Sequence, residues 1–167
     1  MAFPHTRVPV LASLAAILLV ACSNASSPSS PTPSPLSTAQ IQARYSAAAK
    51  EYNTSEAQIS LAENAACDAG SPTVALSACQ TALSQQRQAS IAYDDALRAD
   101  TFSGTAATDA SHLLGDDAAI EAKLEQAATA PSIAVIATLE SEIIQLLATA
   151  AGDATKLRTD IGLPAPA

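Results

Sequence analysis

The stretch STAQIQARYSAAAKEYNTSEAQISLAENAAC, Ser37–Cys67, decides the fold class. Ile41, Tyr45, Ala48, Tyr52, Ser55, Ile59, Ala62 and Ala66 recur at alternating spacings of four and three. That period matches an α-helix and draws one stripe along one face. The spacing predicts a helix from Thr38 to Cys67. Ser37 or Thr38 is placed to cap its start, and Gly70 to end it.

Three more helical patterns follow. Ser71-Pro72 reads as an N-cap and first helical residue, opening a helix to about Asp100. Its apolar members are Leu76, Leu83, Ile91, Tyr93 and Leu97. The segment TFSGT, Thr101–Thr105, is a turn centred on Gly104. A third helix is expected from about Ala106 to Thr129, with Leu113, Leu114, Ile120 and Leu124, and with Gly115 inside it. Pro131 marks the first position of a fourth helix, running to about Ile161 and stopped by Gly162 and Pro164. It is the most apolar, with Ile133, Ile136, Leu139, Ile143, Ile144, Leu146, Leu147 and Leu157. Short connections make consecutive helices antiparallel neighbours. The expected fold is all-α: an up-down-up-down four-helix bundle over residues 38–162, with residues 163–167 as a tail.

Composition agrees. Hydrophobic residues make up 49% of the 167, yet aromatics are only 3% and Trp is absent. The apolar content is mostly Ala, Leu and Ile, which suits helices better than strands. Alanines at core positions let helix axes approach closely, so a thin core with little room for a ligand cavity is expected. The chain has 8 Lys and Arg against 16 Asp and Glu. That balance repels phosphate backbones and argues against nucleic-acid binding.

The N-terminal end carries the most specific motif. Val10–Ala21 is an apolar run of about twelve residues, short of the roughly 20 that span a bilayer. It fits the apolar region of a secretory signal. It ends in Leu19-Val20-Ala21-Cys22, followed by a string of Ser and Pro with Pro28, Pro31, Pro33 and Pro35. Leu19-Val20-Ala21-Cys22 resembles the lipobox of bacterial lipoproteins. The lipobox, the Ser/Pro string and the Ala/Thr-rich helices together resemble small lipoproteins of high-GC Gram-positive bacteria.

The resemblance implies that residues 1–21 are a cleaved signal peptide and that Cys22 receives a diacylglyceryl group. It also implies that the mature chain is anchored by lipid on the outer face of the cell membrane. Losing Arg7 leaves 7 basic and 16 acidic residues, a mature charge of −9. Residues 22–37 then form a disordered tether. Alternating Pro favours polyproline II, which extends at ~3.1 Å per residue and would hold the domain clear of headgroups.

Two of the three cysteines remain after lipidation. Outside the cytoplasm, Cys67 and Cys79 are expected to form a disulfide stapling the first helix to the second. The pairing sits awkwardly with a second helix that begins at Pro72, because Cys79 would lie two turns inside it. A start near Val74, or a connection that climbs back, removes the difficulty.

Few residues suggest chemistry. His112 shares a helix face with Asp109 and Asp116, but one histidine cannot complete a two-metal bundle site, and a solvated polar face is the simpler reading. No metal and no cofactor are expected. Glu121, Glu125, Glu140 and Glu142 read as solvent-facing charges. In YDDAL, Tyr93–Leu97, the adjacent acids Asp94 and Asp95 diverge on a helix and do not pair. Neither a Ser–His–Asp constellation nor a glycine-rich phosphate loop is apparent. The chain therefore reads as a non-catalytic surface domain with an unknown protein partner or an envelope role. A small-ligand or metal-binding module is the alternative. An exposed apolar patch would favour the first, and a cavity lined by His112 and carboxylates the second.

Overall fold

The structure, a computed structural model, describes residues 36–68 and 74–164. The lipobox, most of the Ser/Pro tether, Gly70 and Ser71-Pro72 lie outside the described residues. Four helices follow in order: α1 Thr38–Cys67, α2 Leu76–Arg98, α3 Thr105–Ala128 and α4 Ile133–Asp160. No strand occurs among the described residues. Each helix packs on the next in sequence. Partners step up one helix as they step down its neighbour. Gln86 reaches Glu56 and Cys79 reaches Cys67 between α1 and α2; Arg87 meets Glu125 and Gln80 meets Ala130 between α2 and α3. The fold is the expected antiparallel four-helix bundle.

The local signals explain most helix ends. A capping box opens α1: Gln40 N–H donates to Ser37 Oγ, and Ser37 N–H donates to Gln40 Oε1 at 2.9 Å. Such a cap satisfies two of the donors that a helix start leaves free. Gly104 precedes α3 at φ +60, a conformation that suits glycine. Gly162, at φ +78, closes α4. Leu163 N–H donates to Arg158 O and Gly162 N–H to Thr159 O, the paired bonds of a Schellman turn.

Two starts differ from expectation. α4 begins at Ile133 rather than at Pro131: Ser132 caps it, accepting from Val135 N–H, so Pro131 stands just outside the helix. The helix α2 begins at Leu76 rather than at Pro72. Ala75 is extended, and its N–H donates to Ala66 O at 3.0 Å. That bond carries the chain back beside the end of α1 before α2 starts. Cys79 thus falls in the first turn of α2, 4.9 Å from Cys67 between Cα atoms, and the disulfide forms.

The core is built mainly from α2, α3 and α4. Leu83, Leu97, Leu113, Leu124, Ile136 and Leu157 are fully buried. Each such side chain contributes roughly 1.5–3 kcal/mol. In α1, by contrast, only Tyr45, Ala66 and Cys67 are buried. Its stripe faces inward but is half covered, because α4 barely touches α1. The bonds that join them sit where α1 starts and α4 ends: Gln42 Nε2 donates to Ile161 O at 2.7 Å, and Arg158 lies over the Tyr45 ring.

α4 is the one described helix long and apolar enough to cross a membrane, with mean hydropathy 1.6 over its best window. In this fold it packs on α3 through Ile136, Ile143, Ala150 and Leu157.

Candidate functional site: an acid–tyrosine cleft between the first and last helices

Where α1 and α4 part, a cleft of about 340 Å³ opens to the surface. This corrects the expectation of a thin core with little room for a ligand cavity. The α4 wall is built from small residues, Ala150, Ala151 and Ala154, with Leu147 and Thr155. They are too short to reach across to α1. The bulk of Tyr45 and Tyr52 and the disulfide tie to α2 set where α1 stands. Small residues bring helices close only when no larger neighbour props them apart. A smaller recess of about 180 Å³ continues past Leu147 along Ile143 and Ile144. A wider depression of about 690 Å³ on the outer slope of α1 is open and shallow, lined by such residues as Ser46, Lys50 and Gln58.

The floor of the cleft is polar. It holds Tyr93 of α2 and Asp117 of α3 beside Leu113. Tyr52 and Tyr93 lie with ring centroids 5.1 Å apart, and the Tyr45 phenol is near enough to act on that of Tyr93. Burial, together with the nearby acids, raises the Tyr52 and Tyr93 phenols well above the usual tyrosine range. They stay neutral donors at any physiological pH.

Asp117 is 7% exposed and Asp94 is 0% exposed. The two carboxyls are near enough across the α2–α3 seam to perturb each other's ionisation. Arg98 Nη2 donates to Asp94 Oδ2 at 2.9 Å. No donor reaches Asp94 Oδ1 or Asp117 Oδ2. Two carboxylates cannot bond to each other unless one carries a proton. Burial, then the charge of Asp94, pushes the Asp117 carboxyl up to about 8, with Glu121 and Asp116 adding to the effect. Asp94 is also raised, by burial, against the opposing pull of Asp117 as a bond partner and of Arg98.

Several sequence expectations change here. Asp94 and Asp95 do diverge, with Asp95 outward and bonded to Arg98. But Asp94 turns into the core and meets Asp117, a pairing that lies on no single helix. Glu125 is exposed and Glu142 half-buried, and they are ion-paired to Arg87 and Lys123. Glu121 and Glu140 are also partly buried, each with an oxygen that no donor reaches. Their pKa values rise through burial.

His112 is exposed and stands apart from the cleft. Its neighbour Asp116 lies near Asp153, which bonds to Lys156. Among the described residues, one cluster offers three metal-type ligand atoms close together: Cys67, Cys79 and Glu140. Its two sulfurs are joined to each other, and a disulfide sulfur is not a thiolate ligand.

The site is thus an open-sided helical bundle whose unclosed seam leads to Asp117, one member of a buried acid pair, and to a tyrosine cluster. No family model, no curated relative and no solved structure matches the chain.

Proposed function

We propose that the protein is a lipid-anchored lipoprotein on the outer face of the cell membrane, whose non-catalytic helical domain binds a small ligand in the cleft between α1 and α4. The lipobox supports the anchor. The observation that carries the binding reading is the cleft itself. Four helices of this length bury more apolar surface when closed, yet α1 and α4 remain apart over a floor of Tyr93 and Asp117. Its volume falls at the lower end of the range of small-molecule sites, and a few polar groups converge in a lining rich in Ala and Tyr. A second reading, docking of a protein partner, draws on the exposed apolar residues Leu61 and Ile144, 75% and 65% exposed.

The test is a thermal-shift screen of small molecules against the mature protein and its Ala151→Trp variant. Ala151 is exposed, so the indole fills the cleft without disturbing the core. Compounds should stabilise the native chain and fail to stabilise the variant. If none discriminates between the two, the cleft is not a binding site.

A further inference from the structure

We propose that this cleft takes a small organic cation, with the Asp117 carboxylate as counter-ion and the surrounding tyrosines as its walls. The proposal rests on the reading of the cleft as the binding face, and it adds the chemical class of the ligand.

The first observation is where the aromatic residues stand. The chain has three tyrosines, and Tyr45, Tyr52 and Tyr93 all line this one cleft. Leu or Ile would fill a helical core as well, as they do along the α3–α4 seam. Tyrosine adds an electron-rich face and a phenol oxygen, and both attract an ammonium group.

The second observation is an acid with no cationic partner. Asp117 lines the cleft, is more than nine-tenths buried and leaves Oδ2 without a donor. Two nearby cations are engaged elsewhere, and the third, Arg158, lines the cleft but is tied to its rim. Arg98 serves Asp94 and Asp95, and Arg87 serves Glu125. Arg158 is held by Pro164 O, at 2.9 Å from Nη2, and by the Tyr45 ring. A buried carboxylate without a cation is costly. Two things relieve it: a proton, or a positive charge brought from outside. The cleft gives an outside charge a path. Walls of Ala and Tyr suit an alkylammonium better than a hydrated metal ion, which demands several oxygen ligands.

The proton and the cation then compete. Asp117 meets the charges of Asp94 from α2 and of Glu121 and Asp116 from its own helix, acts on Tyr93 of α2 and Tyr52 of α1, and shares the cleft lining with Arg158 of α4. Binding a cation expels the proton, so affinity should rise with pH below about 8. The rise should approach tenfold for one pH unit, the limit for one proton released.

The experiment measures binding of choline and benzylamine to the lipidated protein in a neutral detergent. The neutral isosteres 3,3-dimethylbutan-1-ol and benzyl alcohol serve as controls. At pH 8 the cations should bind at least tenfold tighter than their isosteres, and more weakly at pH 6. Asp117→Asn should cost the cations tenfold or more and leave the neutral pair unchanged. Tyr52→Leu should weaken the cations while the fold stays helical. Equal binding of cations and isosteres overturns the cation proposal and leaves the cleft reading standing. So does failure of both cations when other compounds separate the native chain from Ala151→Trp. If no compound separates those two, both readings fall.

Discussion

Asp94 and Asp117, one on α2 and one on α3, are buried close enough for each to perturb the other's ionisation, and neither Asp94 Oδ1 nor Asp117 Oδ2 meets a donor. The pair is satisfied when it holds one proton. In the unfolded chain Asp117 would titrate near ~3.9, whereas in the fold it titrates at about 8. Between those values the native state holds more protons than the unfolded state. Stability must therefore fall as pH rises through that window, and level off above it. Glu56, Glu63 and Glu140, also raised by burial, act in the same direction. The melting temperature should be higher at pH 5 than at pH 9. Asp117→Asn should flatten much of this slope, because an amide N–H donates to Asp94 at every pH. At pH 8 the variant should gain about 1–3 kcal/mol. Calorimetric melting of both chains from pH 5 to 9 checks this. A native chain more stable at pH 9, or a variant with the same slope, would refute the shared proton.

The same pair shows how far the sequence reaches. The period of Ile41, Tyr45, Ala48 and Tyr52 was enough to set α1 from Thr38 to Cys67, since helical register is local. Rules for neighbours on one helix are enough to part Asp94 from Asp95. They are silent on Asp117, which is 23 residues beyond Asp94 and meets it only because two helices pack in one particular register. The start of α2 was hidden for a similar reason. Ser71-Pro72 is a good local start signal, but the Ala75–Ala66 bond and the Cys67–Cys79 link fix the entry three residues or more later. The cleft was least legible. Composition shows that residues are small, not whether the helices that carry them close.

A second prediction concerns Cys22, which lies outside the described residues. If Leu19-Val20-Ala21-Cys22 acts as a lipobox, protein extracted from membranes should begin at Cys22 and carry a diacylglyceryl group. Intact-mass analysis reads both facts at once. Cys22→Ala should leave the chain unlipidated and move it from the membrane to the soluble fraction. A mature form that retains residues 1–21, or one that starts elsewhere with a free thiol at Cys22, would refute the anchor.

The third prediction concerns the link between Cys67 and Cys79. Cys79 is 0% exposed and Cys67 8% exposed, so the pair should resist alkylation until a reductant is added. The cross-link closes a short loop, with a sequence separation of 12. A loop of this size is worth roughly 2–3 kcal/mol through restriction of the unfolded chain. Reduction should lower the melting temperature by several degrees for a domain of about 125 residues. Helix content should survive, since α2, α3 and α4 carry the buried leucines and isoleucines. The loss should concentrate in α1, which buries little else beyond Tyr45 and Ala66. Amide exchange should therefore quicken in Thr38–Cys67 more than in the other three helices. Cys67→Ala alone should destabilise about as much as Cys67→Ala with Cys79→Ala, because either change removes the same bond. Ready alkylation of both sulfurs in the unreduced protein would refute the link, as would reduction that leaves the exchange of α1 unchanged.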